Sequence, residues 1–171
     1  IDPLRDGSIA PAANRGCVNA RCAVMVQNNC LMLDRVGIHV FKGNMQRYNY
    51  QAGDTENHLS LPVGDLFRLE GTGIRLNWKA NKDLWHAVHS QEMHTVRWHV
   101  ALQGYRKPYH AICYDYLTNR WTLEYYPIPI TASCLLADET GKPVLGSLDG
   151  KVYYPDSGAL DFVEPGGTYF S

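Results

Sequence analysis

Between Thr95 and Leu102 the side chains alternate without a break: Val96, Trp98, Val100 and Leu102 fall on one side of an extended chain, Arg97, His99 and Ala101 on the other. A helix would scatter this pattern around its axis, so the segment reads as a strand with an apolar core face and a polar face carrying Arg97 and His99. The rest of the chain has the same grain. His110 to Tyr116 and Trp121 to Tyr126 read as strands joined by a Leu117-Thr118-Asn119-Arg120 turn, and Pro127 and Pro129 then stop ladder donation. Ala132 to Leu136, Val144 to Gly146 and Val152 to Tyr154 follow as shorter strands, the last behind a Leu148-Asp149-Gly150 turn. Upstream, Val24 and Val26 alternate into an Asn28-Asn29 turn, Leu31 and Leu33 resume, and Asp34-Arg35-Val36-Gly37 turns the chain into Ile38 to Phe41.

Two segments break the rhythm. Asn44 to Ser60 is polar around Tyr48 and Tyr50 and reads as a long loop. Pro62, Leu66, Phe67 and Leu69 have the spacing of a short amphipathic helix ending near Gly71, and Lys79 to Ala87 of a second, with Leu84, Trp85 and Val88 on its apolar side. The expected fold is mainly β: short antiparallel meanders resembling β-propeller blades, with one or two short helices. In order these are an entry strap (1–16), a first blade-like meander (17–43), a loop and short-helix insertion (44–94), two further blade-like meanders (95–158) and a C-terminal loop (159–171). The chain has 171 residues, enough for one ordinary domain; its start at Ile1 and its Glu164-Pro165-Gly166-Gly167 ending suggest a segment of a longer polypeptide.

Short strands with turns every eight to twelve residues or so suit a sandwich, a barrel or a propeller. Local repetition favours the last. Leu33 to Phe41 and Ser147 to Tyr154 share a form, a turn with Asp and Gly followed by an apolar strand carrying an aromatic, and Tyr114 to Trp121 adds an aromatic strand, a polar turn and a strand opened by Trp. The run Cys17 to Gly43, the Asp65-Leu66-Phe67 turn, the stretch from Asn77-Trp78 to Trp98, and Tyr114 through Val152 together resemble propeller-type tail and neck structural proteins of tailed bacteriophages. That resemblance implies a virion component of the tail or the neck nozzle, assembled in the host cytoplasm, which forms subunit interfaces around the DNA passage. Its partners would be other virion subunits, with transient DNA contact and no membrane. About three blade-like units are fewer than the roughly four to eight that close a ring, so the rest should come from a homo-oligomeric ring or from another segment of a parent chain. The alternative is a carbohydrate- or protein-binding propeller module.

Nothing in the sequence spells an active site or calls for a cofactor. A net charge of −1 gives no global field for nucleic acid or an anionic membrane, and no apolar run reaches the ~18 residues of a membrane helix. Cys17, Cys22, Cys30, Cys113 and Cys134 are odd in number and form no CxxC pair, so free thiols are expected, with Cys30 and Cys134 as small core residues. His86, His89, His94 and His99 lie close in sequence but lack HExxH spacing, and surface or loop positions are expected for them, His94 at a strand entry. His110 and Cys113 fall on opposite strand faces, which argues against a nucleophile pair. No GxSxG elbow or phosphate cradle occurs, and Asp54, Glu56, Asn57, Asp138, Glu139 and Asp149 are explained as turn formers rather than calcium ligands. The binding candidates are Tyr105, Arg106, Tyr109 and Arg120, where aromatics and cations mix beside Lys107, Tyr125 and Tyr126; strand-surface packing is their plainer explanation.

Overall fold

A computed structural model describes residues 16–42, 58–136 and 141–154. The strap before Gly16, residues 44–57 of the long loop, Asp138, Glu139 and the C-terminal loop lie outside the described residues. Among the described residues ten strands form three antiparallel sheets, each a meander in chain order. The first sheet holds β1 (Ala23–Val26), β2 (Asn29–Leu33) and β3 (Ile38–Lys42). The second holds β4 (His86–Ser90), β5 (Thr95–Val100), β6 (His110–Asp115) and β7 (Arg120–Tyr125). The third holds β8 (Ile130–Leu135), β9 (Pro143–Ser147) and β10 (Val152–Tyr153). The opening strands β1, β4 and β8 make the largest contacts between sheets, β4 packing against both others and also touching β9. Three meanders joined through their first strands make a blade-like fan; the chain is mainly β, and among the described residues its helices are short 3-10 turns.

The turns are built by their own side chains. The Asp34 carboxylate accepts the main-chain N–H of Val36 (2.6 Å) and Gly37 (3.2 Å), and Asp149 accepts that of Lys151 (3.1 Å), so the repeated phrase caps the same corner, between the second and third strands of a meander. At Gly37 a Cβ would fall on the His58 ring and 2.7 Å from Ser60 Oγ, and that hydroxyl accepts the Ile38 N–H. Asp115 caps the β6–β7 turn through the N–H groups of Leu117 and Thr118, and Asn119 takes the left-handed conformation there (φ 55°). The first hairpin turns one residue earlier than expected, at Gln27-Asn28, with Gln27 left-handed.

The helical expectations are corrected in part. Leu61–Phe67 is a 3-10 segment kinked at Val63, not an α-helix, although Pro62 does open it. The expected second helix is a single 3-10 turn, Lys82–Leu84, capped by the Asn81 side chain on the Asp83 N–H; strand β4 starts at His86. Residues 86–90 thus belong to the four-stranded meander rather than to the insertion. Their alternation was hidden because the side chains that turn inward beside Val88 are His86 and Ser90, both buried.

Both sides of the second sheet are covered, and this overturns the polar face assigned to Arg97 and His99. One side carries Val96, Trp98, Val100, Ile112 and Tyr114, packed on Cys22, Val26, Leu31, Leu33 and Ile38 in one hydrophobic core. Trp98 is fully buried, and its indole N–H donates to the Cys22 carbonyl (3.2 Å), which ties the first two sheets together. The other side carries His86, Arg97, His99 and Cys113, all buried, and turns toward the third sheet, where Ser90 Oγ donates to the Gly141 carbonyl. A strand buried on both faces has no solvent side for its polar residues to mark.

Candidate functional site

Two arrangements stand out, a buried polar seam between the second and third sheets and an aromatic cleft at the opposite face. In the seam, register sets His86 on β4 across from His99 on β5, and the imidazoles stack with centroids 4.7 Å apart and planes 18° apart. His86 Nδ1 lies 3.0 Å from the Leu84 carbonyl; its Nε2 and both ring nitrogens of His99 have no protein hydrogen-bond partner. Burial pushes His86 down to about 4, and burial, then the neighbouring His86 and Arg97, hold His99 well below the ordinary range. The expectation of surface histidines therefore fails for His86 and His99; His94 sits in the turn before β5, as expected.

One row along, Arg97 Nε donates to both oxygens of Glu124 at 3.1 Å, and Tyr126 Oη donates to the same carboxylate at 2.6 Å. Burial opposes the Arg97 charge, but the facing Glu124 outweighs it, so the guanidinium stays ionised. Burial and then the Glu124 charge push the Cys113 thiol up to about 11, which leaves it a poor nucleophile. Neither His110 nor Cys113 reaches the other, because they occupy opposite faces of β6. Among the described residues no group of three or more His, Cys, Asp or Glu is arranged to hold a metal ion. All five cysteines are free; Cys134, expected in the core, is exposed on the third sheet.

The candidate binding residues divide. Tyr105 and Tyr109 sit together (centroids 5.3 Å) and join Tyr125, already named beside them, and His110, which was not (His110 is 4.8 Å from Tyr105 and 5.2 Å from Tyr125). Arg106 is exposed in the same turn. Arg120 is not part of the group: it opens β7, opposite Asp115, about 16 Å along the strand from Tyr125 and on the other face. Beside the tyrosines lies an open cleft of about 390 Å³ lined by Ile74, Arg75, Gln103, Tyr105, His110 and Tyr125, among others. The contribution of residues 73–75 was not legible in the sequence, because they come from a turn far from any strand pattern.

The third sheet has a different character. Its strands, Ile130–Leu135, Pro143–Ser147 and Val152–Tyr153, contain no charged residue. Register places Ala132, Cys134, Val144, Gly146 and Val152 on one side, of which Ala132, Cys134 and Val152 are exposed, Val152 by 60%, while Val144 is buried. The opposite side holds Leu145, fully buried, and Leu135, which is exposed. No described helix is long and apolar enough to cross a membrane.

Fold and sites together define a mainly β protein with a polar seam, an aromatic cleft and an uncharged sheet that exposes apolar side chains. Comparison with protein-family models, curated proteins and solved structures gave no match.

Proposed function

We propose that the protein is a structural subunit of a larger assembly, of the kind that builds the tail or the neck nozzle of a tailed phage virion, and that it works by forming interfaces rather than by catalysis. The observation that carries this reading is the third sheet: strands without a charged residue, with the apolar side chains of Ala132, Cys134 and Val152 exposed on one side around a buried Val144. Burying apolar surface of this kind contributes about 25 cal/mol per Å², and exposed apolar side chains grouped on one sheet are a mark of a protein interface. Its occupant is a further blade-like sheet from a neighbouring copy, continuing the stacking by which the first sheet already covers the second. Virion subunits of this type would surround the DNA passage and touch DNA transiently, in keeping with the net charge of −1.

Light scattering with native mass spectrometry on the 171-residue chain tests this. Assembly at micromolar concentration that Val152→Asp disrupts, with unchanged circular dichroism, supports the reading. A stable monomer over that range overturns it.

A further inference from the structure

The aromatic cleft is separate from the interface proposed above: it lies on the side of the second sheet that carries Ile112 and Tyr125, at the strand end near His110. Its volume of about 390 Å³ is at the small end of the roughly 300–1,000 Å³ typical of small-molecule sites. Tyr125, 60% exposed, and Tyr105, 36% exposed, stand 6.5 Å apart and tilted by 57°, which leaves two aromatic faces open at the mouth. Ile74, 61% exposed, adds an apolar edge. Gly73 has φ +128° and nothing within 4 Å of where a Cβ would stand, so no side chain closes that rim.

Charge narrows the ligand. Glu124 borders the cleft, but its carboxylate turns to the other face, where Arg97 and Tyr126 hold it. Arg75 therefore gives the cleft an uncompensated positive charge. Its Nη1 donates to the Leu69 carbonyl (3.2 Å), its Nε has no partner, and it makes no ion pair among the described residues. His110, more than nine-tenths buried, also lines the cleft, and its Nδ1 has no partner. A cationic ligand of the type that aromatic cages take would be repelled by Arg75. Single-stranded nucleic acid calls for cations spaced along a groove, whereas Arg106 and Lys107 stand outside the lining in an exposed turn.

We infer that this cleft binds an acidic saccharide: the C–H face of a sugar ring stacks on Tyr105 or Tyr125, Gln103 meets a hydroxyl, and the ring carboxylate meets Arg75. A guanidinium facing a carboxylate is the stronger kind of hydrogen-bonded pair, so a matched neutral sugar should bind about tenfold more weakly.

The test uses the full chain with D-glucuronate, D-glucose and oligo-dT as probes, following tyrosine ring resonances by NMR. Saturable glucuronate shifts at Tyr105 and Tyr125, about tenfold weaker for glucose, support the inference. Arg75→Gln should erase the preference, and Tyr125→Ala should remove both responses while the Val96 and Ile112 methyl signals stay in place. Equal affinity for the two sugars, no saturable shift, or tighter binding of oligo-dT at the same resonances would overturn it. Each result is independent of whether the chain assembles.

Discussion

Acidification should loosen this protein well before its carboxylates protonate, because two imidazoles are stacked in the seam with no carboxylate beside them among the described residues. His86 has an ordinary value of 6.5 in the unfolded chain and about 4 in the fold, held down by burial. Between those values the unfolded chain takes up a proton that the native state refuses. Stability is thus complete above about pH 6.5 and falls as pH drops, at about 1.36 kcal/mol per decade. Carried down to pH 4, His86 alone removes about 3 kcal/mol, a large share of the ~5–15 kcal/mol that holds a typical domain together. His99, held well below its ordinary value by burial and then by the neighbouring His86 and Arg97, adds a second proton with the same sign. The groups around the pair are Arg21, which disfavours His86 protonation, Arg97 from β5, and Tyr126, whose ring lies 5.5 Å from His99. Urea unfolding followed by tryptophan fluorescence, at several values between about pH 7.5 and 5, gives the slope. His89 and His110, also lowered by burial, contribute in the same direction, so the slope must be assigned by substitution. His99→Phe keeps a ring in the stack and should remove about one proton from the slope; His86→Asn is the second variant. An unchanged slope in both, or a titration of His86 near 6.5 by NMR, would refute the reasoning.

Other consequences are simpler to measure. Gly37→Ala should cost about 1–3 kcal/mol by thermal melting, since its Cβ would fall on the His58 ring and Ser60 Oγ. Glu124→Gln removes the carboxylate charge that faces the Arg97 guanidinium, whose side chain is only 7% exposed; a loss of about 2–3 kcal/mol is expected in urea, reduced from the value of a fully buried pair because Glu124 is partly exposed. Trp98→Ala should cost about 3–5 kcal/mol, because the indole is fully buried and bonded to the Cys22 carbonyl between two sheets.

The strands most readable in the sequence were those where alternation or turn chemistry is local. Thr95–Val100 was legible from alternation alone, and the corners at Asp34, Asp115 and Asp149 from side chains that cap their own backbone. Sequence failed where burial came from other sheets. The strand His86–Ser90 was missed, its first two residues read as the end of a helix, because two of the three side chains it turns inward are polar, and His99 was assigned to solvent because nothing local records the cover on its second face. The aromatic cleft was half legible: Tyr105 and Tyr109 are close in sequence, but Arg75 and Tyr125 reach them only through the sheet's register and a distant turn. Arg120 was grouped with them by sequence proximity, which ignores that a hairpin sends the two ends of a strand apart.

The central claim, that the exposed apolar side chains of the third sheet are covered in an assembly, is tested most directly at Cys134. It is the exposed thiol among the five cysteines and stands with them, across from Val144. Its alkylation rate by a maleimide should fall at least about tenfold as protein concentration is raised through the range where light scattering shows assembly, and should stay fast at every concentration in Val152→Asp. A Cys134 that reacts equally fast in monomer and assembly would contradict the account.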